Sequence, residues 1–89
     1  MPYLYFMKSK KNGKVYVGST TKIPKIRVNE HNNGSNQWSR YNGPFLLKYF
    51  EKYQCEKDAK LREKFYKTGF GKQIKELILK LIESKNIGA

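Results

Sequence analysis

Residues 3–20 read YLYFMKSKKNGKVYVGST, and the way this stretch doubles back decides what the rest of the chain can be. "YLYFM" is aromatic and apolar and "VYVG" is β-branched and aromatic, compositions that suit a half-buried pleated surface. Between them Asn12-Gly13 is a strong short-range turn signal, because both residues tolerate the left-handed backbone of a tight hairpin. Lys8, Lys10, Lys11 and Lys14 mark the exposed tip. A two-residue turn at Asn12-Gly13 pairs Lys11 with Lys14 and Ser9 with Tyr16. Side chains alternate between faces along a strand, so Tyr3, Tyr5, Tyr16 and Gly18 then share one face. Any register whose paired numbers sum to an odd value keeps that result, and a one-residue bulge breaks it.

Outward from the hairpin, "TTKIPKIRVNEHNNG" predicts a short helix from about Pro24 to Asn32 or Asn33. Proline suits the first turn and Gly34 the C-terminal cap. Arg27 and His31 are four residues apart and hence share one face. Residues 34–44, "GSNQWSRYNGP", read as a loop that holds Trp38, Arg40 and Tyr41. "FLLKYFEKY" follows as a third strand, apolar enough to be expected in the centre of the sheet. A second helix starts near residue 56 and ends at Gly69. In the last helix, "KQIKELILKLIESK", residues Ile74, Leu77, Ile78, Leu81 and Ile82 recur at helical spacing and are expected to cover the sheet. The final "NIGA" is expected to fray. The order β-β-α-β-α-α with a hairpin start implies an α+β fold, a three-stranded, mainly antiparallel sheet flanked by helices.

Eighty-nine residues are expected to form a single domain over 1–89, a size that buries only about 60–65% of the unfolded surface. No apolar run is long enough to span a bilayer. The N-terminus has its charges after the apolar stretch, unlike a secretory signal, so the expected location is intracellular, cytoplasmic or nucleoid-associated. One cysteine and one histidine exclude both a disulfide scaffold and a structural zinc site. Nineteen Lys/Arg against seven Asp/Glu give a net charge of +12, interleaved with seven tyrosines, five phenylalanines and one tryptophan. Such a surplus repels itself unless an anionic partner is present, and nucleic acid is the first candidate.

The chain is short of catalytic equipment. A Ser-His-Asp site would have to use His31 and Asp58, the only residues of their kinds, with no nucleophile elbow around Ser19. A Cys55–His31 nucleophile lacks any sign of thiol activation. No phosphate-binding GxxxxGK[ST] loop exists. The scattered carboxylates leave a one-carboxylate design for phosphodiester chemistry. That design needs one metal ligand, a base for water and a cation for the phosphate. A tyrosine base is unusual at an ordinary pKa near 10, and neighbouring cations lower the demand.

Tyr3-Leu4-Tyr5, ten residues, then Tyr16-Val17-Gly18 resembles the paired motif of the GIY-YIG nuclease superfamily, with tyrosine for the first glycine and leucine for the isoleucine. The similarity continues through "GST", Arg27 and His31, "GPFLLKYFE", and "KLREKFYKTG" with Glu63, over roughly residues 2–80. It is greatest to small, stand-alone members of the superfamily. The resemblance implies a divalent-metal-dependent endonuclease that hydrolyses DNA phosphodiesters, reading structure, single strands or a short sequence. Tyr5 and Tyr16 would position or deprotonate the attacking water, with Tyr16 the expected proton acceptor. Arg27 would stabilise charge on the scissile phosphate and His31 would assist proton transfer. Glu63 would hold a single Mg²⁺ or Mn²⁺. Gly18, Ser19, Lys14, Trp38, Arg40, Tyr41 and Lys67 are the residues expected to contact nucleic acid, and Gly18 to allow a close backbone approach there. Partners would be DNA, with RNA not separated from it, and a protein partner if a long site is to be read. The alternative is a catalytically inactive nucleic-acid-binding protein on the same fold, and a third reading is a basic interaction protein.

Overall fold

A computed structural model describes residues 1–87. The elements run β1 (Tyr3–Ser9), β2 (Val15–Thr20), α1 (Pro24–Asn32), α2 (Gln37–Asn42), β3 (Phe45–Lys52), α3 (Glu56–Tyr66) and α4 (Gly69–Ile87). The strands form an antiparallel sheet in the order β2-β1-β3, the expected α+β architecture.

The hairpin keeps the expected parity with a longer turn. Tyr5 pairs with Gly18 and Met7 with Tyr16, so Tyr3, Tyr5, Tyr16 and Gly18 share a face. The loop holds four residues and not two: Ser9 N–H donates to the Lys14 carbonyl at 2.9 Å, and Gly13 N–H donates to the Ser9 carbonyl at 3.0 Å. The physical reason is Ser9, whose buried hydroxyl accepts from the N–H groups of Lys11 and Asn12, both at 3.1 Å, and satisfies a wider loop.

The central strand is β1, which corrects the expectation for β3. Leu4 and Phe6 are fully buried on one face of β1, and Tyr5 and Met7 nearly so on the other. At the edge, β3 leaves Leu46 and Phe50 about half exposed. The register between β1 and β3 shifts between Phe6 and Met7, so that Lys48 is passed over and Leu47 and Phe45 fall on the same face as Tyr5. The apolar run of β3 is thus divided, with Phe45 and Leu47 packed on the Tyr5 face, Tyr49 on the Phe6 face, and Leu46 and Phe50 left half exposed.

One face carries Tyr5, Met7, Val28 and Phe45, covered by α1. The other carries Leu4, Phe6, Tyr66 and Leu79, covered by α3 and α4. As expected, α1 begins with Pro24 and is capped by Gly34, whose N–H donates to the His31 carbonyl at 3.0 Å and whose φ of +73° lets the next N–H, of Ser35, reach the Glu30 carbonyl at 3.1 Å. Residues 34–44 are not all loop: α2 forms because Asn36 accepts a hydrogen bond from Ser39 N–H at 2.8 Å, an N-cap the composition concealed.

Gly69 does not close α3. It opens α4, where Gly71 N–H donates to the Thr68 hydroxyl at 3.0 Å. A Cβ on Gly71 would lie 1.8 Å from the Phe65 carbonyl oxygen. This close approach selects the stripe of α4 that faces inward, and Leu79, two turns from Gly71, is buried with Ile74 and Ile78 beside the core. Leu77 and Leu81, expected to cover the sheet, are 56% and 58% exposed. Of the four residues expected to fray, Asn86 and Ile87 fall at the end of α4, and 88–89 lie outside the described residues.

A polar knot ties α3 to the sheet. The Glu51 carboxylate accepts from Tyr49 at 2.8 Å, Tyr66 at 2.5 Å, Arg62 at 3.2 Å, and from Tyr53. Burial alone would raise this carboxyl, and the hydrogen bonds bring it below its ordinary range. Burial and the same carboxylate push Tyr53 up to about 12.

Candidate active site

An open groove of about 490 Å³ runs along the free edge of β2. Its walls come from six elements: Tyr5 on β1, Tyr16, Gly18 and Ser19 on β2, Arg27 and His31 on α1, Trp38 on α2, Glu63 on α3, with Lys67 just beyond it, and Lys72 and Lys75 on α4. Residues far apart in sequence meet here because α1 and α3 lie on opposite faces of the sheet and each sends side chains to the groove at its β2 edge.

The Tyr5 ring lies across β2 at Gly18. A Cβ on residue 18 would stand 2.6 Å from the Tyr5 hydroxyl oxygen and 2.7 Å from Cζ. The close approach expected of Gly18 is thus made by Tyr5. The Tyr5 Oη lies 3.3 Å from His31 Nε2, and His31 Nδ1 lies 2.6 Å from Ser39 Oγ. All three side chains are buried. Burial raises the Tyr5 hydroxyl above its ordinary value, against the lowering influence of the Arg27 cation. Burial, with Arg27 assisting, depresses the His31 imidazole and keeps it neutral near pH 7.

Arg27 Nη1 donates to Glu30 Oε1 at 3.0 Å, and Lys22 pairs with the same carboxylate. On the far wall, Glu63 Oε1 accepts from the Ser19 hydroxyl at 2.7 Å and Oε2 from Lys67 Nζ at 2.8 Å. Burial raises the Glu63 carboxyl, but the hydrogen bonds from Lys67 and Ser19 outweigh it and hold the group below its ordinary range. Among the described residues no three His, Cys, Asp or Glu side chains converge. A divalent ion here would therefore have one protein carboxylate, Glu63, with substrate oxygens and water completing its shell, an arrangement that suits Mg²⁺.

Tyr16 points its hydroxyl elsewhere. It donates to Asn42 Oδ1 at 3.3 Å and accepts from Asn12 Nδ2 at 3.0 Å, and neither asparagine lines the groove. Its ring meets the Trp38 edge at 4.9 Å. Lys14 stays on the exposed hairpin tip, outside the groove. Arg40 and Tyr41 line a separate depression with Gln37. The sequence reading missed Lys72 and Lys75, which join the groove from α4, and Ser39, which supports His31. A serine inside an apparent loop gives no signal in sequence, whereas two lysines one helical turn apart just beyond Glu63 could have been noticed.

Residues 1–76 match the GIY-YIG catalytic domain family. The chain belongs to the GIY-YIG family. It is 36% identical over 88 residues to UPF0213 protein CPE1444 of Clostridium perfringens (strain 13 / Type A), covering 98% of this chain and 88% of that protein. No solved structure gives a significant match. GIY-YIG domains are nuclease domains that act on nucleic acids, so the groove lies on a fold of that chemistry. No helix of the described residues is long and apolar enough to cross a membrane.

The neutral His31 of this GIY-YIG domain has a consequence for stability. A histidine whose folded pKa lies below its ordinary 6.5 favours the native state in its uncharged form. Its contribution is full above about pH 6.5 and is lost as pH falls through the lower folded value. Denaturant unfolding followed downward from pH 7 should therefore show falling stability. The His31→Gln protein should lose that slope in the first part of the acid limb, where the carboxylates have not yet begun to titrate.

Proposed function

We propose that the protein is a divalent-metal-dependent endonuclease that hydrolyses DNA phosphodiester bonds. The observation that carries this reading is the Tyr5–His31–Ser39 line, set in one groove with Arg27 and Glu63. A tyrosine raised above its ordinary pKa is a poor base alone. Beside a neutral imidazole it becomes a relay: the hydroxyl takes a proton from the attacking water while passing its own to His31 Nε2. Nδ1–H then donates to Ser39 Oγ and fixes the ring. Tyr5, and not Tyr16 as anticipated from sequence, is the hydroxyl we assign to this step.

Arg27, held by Glu30 from behind, has further guanidinium N–H groups to offer a phosphate whose charge grows in the transition state. Glu63 is ionised and would hold Mg²⁺ or Mn²⁺, which when bound supplies Lewis-acid stabilisation of the phosphate oxygens. To receive it, the carboxylate would give up its exposed ion pair with Lys67, worth little on a solvated surface. Lys72 and Lys75 add positive charge where the flanking phosphates would lie.

The second reading, a nucleic-acid-binding protein that does not cut, draws on the same pairs: Arg27 and Glu63 are each already engaged within the chain. One assay separates the two. End-labelled single-stranded, duplex, flap and branched DNAs are incubated with Mg²⁺ or Mn²⁺, and the products are mapped. Cleavage of at least one substrate that stops on chelation is the expected result. Metal-independent retention with every substrate intact would hand the case to the binding reading.

A further inference from the structure

Trp38 is built into the groove in a way that the hydrolytic chemistry does not require. One face of its indole is stacked on Phe45, with ring centroids 5.6 Å apart and planes 11° from parallel. Tyr16 and His31 meet it edge-on at 4.9 and 6.1 Å. The short helix that carries it is pinned by the Asn36 cap, by Ser39 against His31, and by the Ser9 hydroxyl, which donates to the Asn42 carbonyl at 2.5 Å. A tryptophan fixed so firmly is usually buried, yet this one is 41% exposed and lines the groove beside Tyr5 and His31.

A rigid aromatic plane, open on one side and flanked by cations, matches the requirements for stacking an unpaired nucleobase. The ordering cost is already met, because Phe45 holds the ring in place. A base within a duplex is stacked on its neighbours and has no free face to offer. The positive charge of Arg27, Lys67, Lys72 and Lys75 follows the same groove around the edge of β2, a path that a flexible strand can track.

Resting on the nuclease reading above, we propose that the groove takes an unpaired strand and that a base next to the scissile phosphate stacks on Trp38. The preferred substrate is then single-stranded DNA or a junction with unpaired nucleotides at the cut.

Trp38 is the one tryptophan of the chain, so its fluorescence reports on this contact alone. The test titrates the wild-type protein, without divalent metal, with a short oligothymidylate, an abasic strand of equal length and charge, and a blunt duplex. Quenching by oligothymidylate, with little from the other two, is expected. By fluorescence anisotropy of a labelled oligothymidylate, Trp38→Ala should bind roughly 5- to 100-fold more weakly, and Trp38→Phe should recover most of the loss. Equal quenching by the abasic strand or the duplex, or wild-type affinity in a folded Trp38→Ala protein, would overturn the proposal. Because no cleavage is read, a protein that fails to cut can still pass this test. A protein that fails it can still cut duplex DNA.

Discussion

Glu63→Gln should lower metal-dependent cleavage by at least about 10²–10³-fold while leaving DNA binding in metal-free buffer unchanged or slightly tighter. The first half follows from what a lone carboxylate does in a site with no other cluster of metal-ligating residues among those described. A bound divalent ion contributes several kcal/mol to stabilising transition-state charge, and each 1.36 kcal/mol is tenfold in rate. The second half follows from charge: the groove is lined by Arg27, Lys67, Lys72 and Lys75, and losing its one carboxylate makes it more positive. The amide can still accept from the Ser19 hydroxyl and loses only the exposed partner Lys67, so the fold should be nearly unaffected. Cleavage kinetics at saturating Mn²⁺, with anisotropy in chelator, check both halves. Residual cutting within tenfold of wild type would remove Glu63 from the reaction.

Tyr5→Phe and Tyr16→Phe should part company. Loss of the Tyr5 hydroxyl breaks the path to His31 and should cost about 10²–10⁴-fold in kcat, the range for a positioned proton-transfer group. Tyr16→Phe should cost less than about tenfold by the same reasoning, since its hydroxyl is engaged by Asn42 and Asn12 away from the groove. The stability changes run the same way but stay small. Tyr5→Phe leaves His31 Nε2 without its buried partner, worth about 1–3 kcal/mol, whereas Tyr16 gives up partly solvated bonds. Single-turnover rates of the two proteins decide the assignment. A larger loss for Tyr16→Phe would mean that its hydroxyl swings into the groove when substrate binds.

Much of this could be read from sequence because it rests on periodicity. The hairpin parity places Tyr5 with Gly18, and the four-residue spacing of Arg27 and His31 survives any helix phase. What sequence concealed depends on tertiary neighbours. The apolar run of β3 looked like a central strand, but a register shift let an edge strand bury Phe45 and Leu47 on one side. The inward stripe of α4 was set by a backbone contact at Gly71, which no hydrophobic pattern contains. Trp38, Arg40 and Tyr41 formed one group in sequence, and helix α2 divided them, turning Trp38 into the groove and leaving the other two in a separate depression. The direction of a hydroxyl is harder still: Tyr16 and Tyr5 are alike until the asparagines that hold one and the histidine that faces the other are in place.

The central position of β1 also bears on the order in which this molecule comes apart. Tyr5 sits on the strand bonded along both edges, so its amide and those of Leu4 and Phe6 should exchange with solvent deuterium only through global opening. Trp38 rides on a six-residue helix at the periphery, pinned by a few side-chain hydrogen bonds and not by strand pairing, so its local opening is expected to need less free energy than opening of β1. A molecule in which α2 has lifted away would keep Tyr5 in place while His31 loses Ser39. The proton path would then stand without its anchor, and activity would fade on warming well before the sheet melts.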